Sequence, residues 1–578
     1  MRTPTARQKP RKAQTALFQA PSAGWIANRN LSMPSATQAK LPPGATILEN
    51  WFPTTTGARL RRGSRRWATL GTGSERTTAM FTYNVGQQQQ LFAATQSAIW
   101  DISVVTSPYN YVYPVWVVLT DIFGNILVDA NGDVIYVLDD GTSPGSGEES
   151  TGGLEVLIGQ SGGDWVVVQS TNSDGGVHLR GVNGVDTPFV YDGASFTTTP
   201  ALTFASPDPS EPEDLTYVWS FKRRLFFVKK DSLDAYYLPV DAIGGELALL
   251  PLGAVFSLGG YLMFGSSWSL GSSDAGGMGA QCVFITSEGE VAVYQGTNPD
   301  DPADWSLVGV YRIGKPLGPK AHISAGGDIV IATTVGFMPL SEAVAREYAA
   351  LSPAAVSNPI EDAWRDAVQS RVSEPWTAVT WPDGQMVVVA PPPTTTEVPR
   401  QFVVNANTGA WCKFTGWTIR CMAVFRGSLY FGGNDGAVTQ AWIGGDDDGA
   451  AYSARFLGLF EDGGTPASRK IAGMARATVT ASVDIRPKVS VHFDFRENLP
   501  HPESSPEVSV DGVWDGGTWD LTQWDSESDS VISSRWVSVG GSGARMAPAV
   551  QISSGSVLPI DALLTAVDIT YTLSDIAT

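Results

Sequence analysis

Val283-Phe284-Ile285-Thr286-Ser287-Glu288-Gly289-Glu290-Val291-Ala292-Val293-Tyr294 holds two apolar runs around a polar turn and ends on an aromatic ring. Ser-Glu-Gly is turn chemistry, because glycine adopts the positive φ that tight hairpins demand. The same form recurs from Phe92 to Trp100, Phe189 to Phe196 and Leu225 to Tyr237. Ile329 to Leu340 turns near Gly336, Gln401 to Phe414 at Asn407-Thr408-Gly409, and Ser428 to Trp442 at Asn434-Asp435-Gly436. From Phe189 onward the units start at intervals of roughly 35–70 residues, near the length of one propeller blade. A lone hairpin cannot bury its aromatic face, so neighbours must stack. A circular arrangement of about five to seven blades achieves this and leaves only short edges. The expected fold class is therefore all-β: a β-propeller with an inserted small β module, a C-terminal β-sandwich or platform region, and few helices.

Composition agrees with that reading. In 578 residues there are 61 glycines, 37 prolines and 19 tryptophans, with 17% charged side chains, the punctuation of many short strands. The clearest helix signal lies between Ser341 and Arg371. There Asn358-Pro359-Ile360-Glu361 offers an N-cap, a proline at the first helical position and a carboxylate at the third, and Ala363, Trp364 and Ala367 follow at helical spacing. No run of about twenty apolar residues exists, so no membrane-spanning segment is expected. Residues 1–66 read as a basic N-terminal arm and a docking or closing segment, and 67–103 as the first propeller strands. Residues 104–170 read as an inserted β module. Ile126-Leu127-Val128 and Val134-Ile135-Tyr136 there flank the Asn131-Gly132 hairpin signal, and a Gly/Ser/Glu linker covers 141–153. Residues 171–445 complete the propeller, and 446–578 form a C-terminal β region that starts at Asp446-Asp447-Asp448-Gly449.

Charge is divided unevenly. Up to Arg66 the chain carries twelve Lys/Arg and the single acid Glu49; the remainder carries 26 Lys/Arg against 57 Asp/Glu. With a pI near 4.6, general wrapping of nucleic acid is disfavoured, since that needs basic surface. The first twelve residues hold Arg2, Arg7, Lys9, Arg11 and Lys12 but no apolar signal core, and read as a disordered arm or as a contact for an acidic partner.

Chemistry-bearing motifs are few. Cys282, Cys412 and Cys421 have no paired spacing and read as buried small hydrophobes. His178, His322, His492 and His501 include no HExxH, so no zinc site is expected. Asp129-Ala130-Asn131-Gly132-Asp133 resembles a calcium loop only faintly and lacks its closing glutamate; a hairpin turn explains it better. Asp446 to Asp448 read as an acidic surface loop more readily than as a cation grip. No Walker loop occurs, and Asn407-Thr408-Gly409-Ala410-Trp411 matches the Asp-box of propeller sialidases poorly. No catalytic residue, metal or cofactor is expected, and the chain is not read as an enzyme.

Two aromatic features stand out. Trp514-Asp515, Trp519-Asp520 and Trp524-Asp525 repeat every five residues, a period that fits neither strand nor helix. Trp514, Trp519 and Trp524 are read as indoles clamped on a β surface, or as contacts for a partner or a glycan. Trp25, Trp51 and Phe52 stand beside Arg61, Arg62, Arg65 and Arg66. These seven are the candidate assembly and docking residues; a strand that closes the propeller is the competing reading.

Gly24-Trp25, Asn28, Met33-Pro34, Asn50-Trp51-Phe52-Pro53 and Arg61-Arg62-Gly63 open an ordered series. Lys222 to Phe227, Tyr237 to Val240, Gly260 to Leu262, Thr286 to Gly296, Trp305 to Gly309, Gly409 to Cys412 and Leu429 to Gly433 continue it. The series resembles the tail tubular or nozzle-type structural proteins of short-tailed bacteriophages over most of 24–445, apart from the insertion. The resemblance implies a virion tail protein made in the host cytoplasm: a homo-hexameric ring below portal and adaptor that conducts and gates DNA during ejection and helps hold tail fibres. Acidic walls would keep DNA phosphates from sticking, while a basic arm would suit an acidic ring above. The rival expectation is a glycan-binding or depolymerising tail propeller that uses the repeated tryptophans.

Overall fold

Each of the seven hairpins forms, and each lies in a different sheet. The computed structural model describes residues 13–33, 41–104, 115–118, 136–139, 153–206, 208–269, 279–371, 375–394, 398–499 and 531–576. Among these, six sheets of four or more strands and a smaller three-stranded one follow one another around a ring. Their innermost strands are Ala79–Val85, Val166–Thr171, Leu215–Phe221, Leu262–Trp268, His322–Ala325, Thr377–Trp381 and Cys421–Phe425. The chain is a β-propeller. Aromatic side chains projecting between sheets hold it: Trp219 stacks on Phe226 at 5.3 Å and meets Phe284 of the next blade edge-on at 5.7 Å.

The ring closes with strands from distant parts of the chain. Ser64–Thr69 pairs antiparallel with Ala437–Ala441 and becomes the fourth strand of the last blade. One blade, Thr377–Trp381 to Trp411–Thr415, does not stop at four strands. Gly24–Trp25 and Gly44–Glu49 add to it, followed by Tyr452–Gly458, Met546–Ser554 and Lys488–Phe493, making one nine-stranded sheet. Gly24 permits the junction: its φ is +78°, and a Cβ there would lie 2.5 Å from the Trp411 carbonyl oxygen. An eight-stranded sheet built on Ser468–Ala481 and Leu563–Ile576, with Gln14–Gln19 along the latter, packs against the nine-stranded one. The C-terminal β region is thus a two-sheet arrangement built from both chain ends.

Three expectations need correction. Residues 104–170 are not all inserted module, because Leu154–Ile158 pairs with Ala98–Asp101 as the outer strand of the first blade and Val166–Thr171 begins the second. Between them Val115–Val118 pairs with Tyr136–Asp139, while the Asn131-Gly132 turn lies outside the described residues. The N-terminal segment is not a separate arm from residue 13 onward, since its strands lie inside both terminal sheets. The helix spans Glu361–Ser370, preceded by a 3-10 turn at Asn358–Ile360 that no side chain caps. Glu361 instead accepts hydrogen bonds from Ser352 Oγ at 2.8 Å and Asn28 Nδ2 at 3.2 Å.

Trp364 anchors that helix. It is fully buried between Trp376 and Phe402, and its indole N–H donates to the Thr333 carbonyl at 2.9 Å. Truncation of Trp364 to Ala should lower stability by about 3–5 kcal/mol through the cavity it leaves, read as a shifted midpoint in urea unfolding.

Candidate functional site: the arginine segment and the propeller axis

Asn50 organises the segment that carries the candidate docking residues. Its φ of +57° is one that asparagine tolerates, and it turns the chain between Gly44–Glu49 and Trp51–Pro53. Its side-chain amide donates to Thr415 Oγ1 at 2.8 Å and the Ser453 carbonyl at 2.7 Å, and its oxygen accepts from Arg61 Nε at 2.9 Å. One side chain therefore ties the entry segment to a blade and to the C-terminal region.

The Arg61 guanidinium is fully buried. It donates to both Asp447 carboxylate oxygens, at 2.9 and 2.5 Å, and lies between the Trp417 ring at 4.9 Å and the Tyr452 ring at 3.9 Å. Arg65 pairs with Asp446, and Arg66 reaches Asp448 at 3.3 Å. Arg62 grips Asp561 with two bonds of 2.9 and 2.8 Å. Asp446 to Asp448, expected as a solvated loop, thus each take one arginine. Gly63 makes this approach possible, since a Cβ would stand 1.8 Å from the Asp446 carbonyl oxygen. Burial raises the Asp446 carboxyl despite Arg65 beside it.

Trp25, Trp51 and Phe52 are buried as well. Trp25 stacks on Phe402 at 6.1 Å and donates to the Thr46 carbonyl, while Phe52 meets Trp442 edge-on at 6.3 Å. The structure brings all seven candidates together as a staple inside the subunit. A docking role for them does not carry over: the aromatics are core, and the arginines already hold carboxylates of the same chain. Asn50, which organises the segment, is not a site residue in the sequence reading; the Asn50-Trp51-Phe52-Pro53 turn is its only signal.

Trp514, Trp519 and Trp524 lie outside the described residues, as does His501. Cys282, Cys412 and Cys421 are buried, and burial pushes the Cys421 thiol up to about 12. Asn405 Oδ1 accepts from the Asn407 N–H at 2.8 Å, so the stretch compared with an Asp-box is a hairpin turn beside fully buried Trp411. Among the described residues no group of three or more His, Cys, Asp or Glu could hold a metal ion. No helix among them is long and apolar enough to cross a membrane.

The propeller axis is bridged. Lys320 precedes the innermost strand of the three-stranded sheet and Asp164 that of the second blade, and their charges meet at 2.5 Å across the ring. Tyr217, Phe264 and His322 come together from three successive innermost strands, with His322 stacked on Phe264 at 4.5 Å. Desolvation lowers the His322 pKa to about 4.

No family model matches the chain and no curated protein is matched. Solved structures are similar at the level of a fold. The computationally designed Ika8 protein is 12% identical and covers 66% of this chain and all of its own, at a TM-score of 0.32. The extracellular domain of the putative hybrid two-component system BT3049 from B. thetaiotaomicron is 11% identical, with 64% of this chain and 41% of that one covered, at 0.35. The β-propeller domain of Cps50 (Swd1) from Myceliophteria thermophila is 10% identical, with 66% and 99% covered, at 0.34. At such scores they carry nothing about function, and the fold rests on the strand pairing above.

Asp447→Ala should cost about 3–5 kcal/mol by leaving a buried guanidinium without its counter-charge. Arg62→Ala and Arg66→Ala, at half-exposed pairs, should each cost less than about 1 kcal/mol in the same urea titration. For His322 the folded pKa lies below the ordinary 6.5, so the unfolded chain binds the proton first. Stability should fall as pH drops from 6.5 towards about 4, and His322→Phe should flatten that slope in unfolding midpoints measured across the window.

Proposed function

We propose that this chain is a virion structural protein of the tail nozzle type, a non-enzymatic subunit of a ring that conducts and gates DNA in a short-tailed phage. The ordered motifs between Gly24 and Gly433 motivate the phage tail. The observation that carries an assembly role is the outward face of the eight-stranded sheet. Leu17, Asp568 and Arg476 stand side by side in one cross-strand row, with Met474 and Ile471 on the same face. Arg476 joins Asp568 at 2.7 Å and lies 4.8 Å over the Trp536 ring. Leu17 is 61% exposed, and Ile471, Met474 and Trp536 are each about two-fifths exposed. Trp, Met and Arg around a central ion pair are the composition of a protein interface, and the occupant in this reading is a neighbouring copy.

The bridged axis bears on the conduit. With Lys320 and Asp164 joined across it, a duplex would pass between subunits and not through one propeller. A chain of net charge −20 lining that passage would repel phosphates and let DNA slide. Adaptor proteins, portal-side proteins and fibres are the partners this reading assigns.

The test is electron microscopy and native mass of the purified protein, alone and with the adaptor-side ring protein. A closed hexameric ring with a duplex-wide channel is expected, lost in Trp536→Asp and Met474→Glu while the subunit stays folded. A ring without such a channel would sink the reading.

A further inference from the structure

A cleft of about 730 Å³ opens where the blade strands Arg400–Asn405 and Trp411–Thr415 meet Gly44–Glu49 and Tyr452–Gly458. That is the volume of a ligand pocket. Glu49, only 6% exposed, forms ion pairs with Lys413 and Arg455 at once. Burial alone would raise the Glu49 carboxyl, but these two cations outweigh it and hold it below its ordinary range. One carboxylate therefore orders two cations.

The cleft's charge runs against that of the whole molecule. Lys413 lies 5.5 Å over the Trp25 ring, and the Arg455 side chain keeps 42% of its surface exposed. Arg400 lines the same wall. The other carboxylate, Asp447, is already taken by the buried Arg61. Among the described residues that line the cleft, three cations, Arg400, Lys413 and Arg455, thus stand with two carboxylates, one of them already held by Arg61, in a chain of net charge −20. Val398, 69% exposed, and exposed Ala451 leave apolar ground at the rim.

We propose that this cleft receives an acidic peptide segment of a partner protein. Its carboxylates would meet Arg455 and Lys413 with charge-assisted bonds, and its backbone would lie over Val398 and Ala451. The preorganised pair lowers the ordering cost of each contact. A duplex is the poorer occupant, because the acidic remainder of the chain repels a long polyanion while a short segment feels chiefly the local cations. The inference stands on the cleft and not on the ring: a monomer would bind as well as a hexamer.

Fluorescence anisotropy of a fluorescein-labelled hexaglutamate peptide against the full chain tests it. Saturable binding that weakens with salt is expected, with hexalysine inert. Val398→Glu and Ala451→Glu, both at exposed positions, should each weaken binding at least about fivefold with an unchanged circular dichroism spectrum. Arg455→Gln should do the same. Absence of saturable binding, undiminished binding by both rim variants, tighter binding of a short DNA duplex, or displacement by equimolar inorganic phosphate would each overturn it. A ring-free protein that still binds the peptide would leave it standing.

Discussion

Everything in this molecule depends on the contact between Arg61 and Asp447. A propeller is a closed ring, and the final blade here takes its fourth strand from Ser64–Thr69, far upstream of Ala437–Ala441. Closure across such a loop is entropically costly, and only a strong, specific seam offsets it. A buried guanidinium held by two carboxylate oxygens, one amide oxygen and two aromatic faces meets that need. A buried ion pair adds little net stability against an apolar alternative. Its strength here is selectivity, since any other register strands a charge in the core.

The same seam explains the charge asymmetry. Arginines concentrated before residue 67 looked available for an acidic partner. The partners of Arg61, Arg62, Arg65 and Arg66 are instead Asp446, Asp447, Asp448 and Asp561 of the same chain, so each of these charges is balanced within the subunit. A cleft that gathers Arg400, Lys413 and Arg455 is therefore a local exception in an acidic surface, which lends it selectivity for short anionic segments.

What could be read in advance divides by range. The seven hairpins were legible because turn chemistry and apolar alternation act within a dozen residues. That the sheet of the Ile329 to Leu340 hairpin has three strands, and that Leu202–Phe204 adds a parallel strand to another, was not, since outer strands carry weak patterns. Asp446 to Asp448 read as solvated because nothing local distinguishes a free acidic run from one whose arginines arrive from some 380 residues upstream. Trp25, Trp51 and Phe52 show the same limit. An aromatic destined for the core and one destined for an interface satisfy the same desolvation argument, and only the pairing of Gly24 with Trp411 separates them.

Once those residues are spent internally, the eight-stranded sheet still offers a surface that only the pairing of distant segments creates. The outer face with Leu17, Met474 and Trp536 exists only when Gln14–Gln19 and Ser468–Ala481 lie on either side of Leu563–Ile576, the last of the described strands. Neither end can present that face alone. A subunit whose terminal strands have not paired lacks the row in which Leu17, Asp568 and Arg476 stand together, so association through this face would select subunits in which that sheet is complete. Were assembly to use this face, the check on folding would sit at the interface, with no separate device needed.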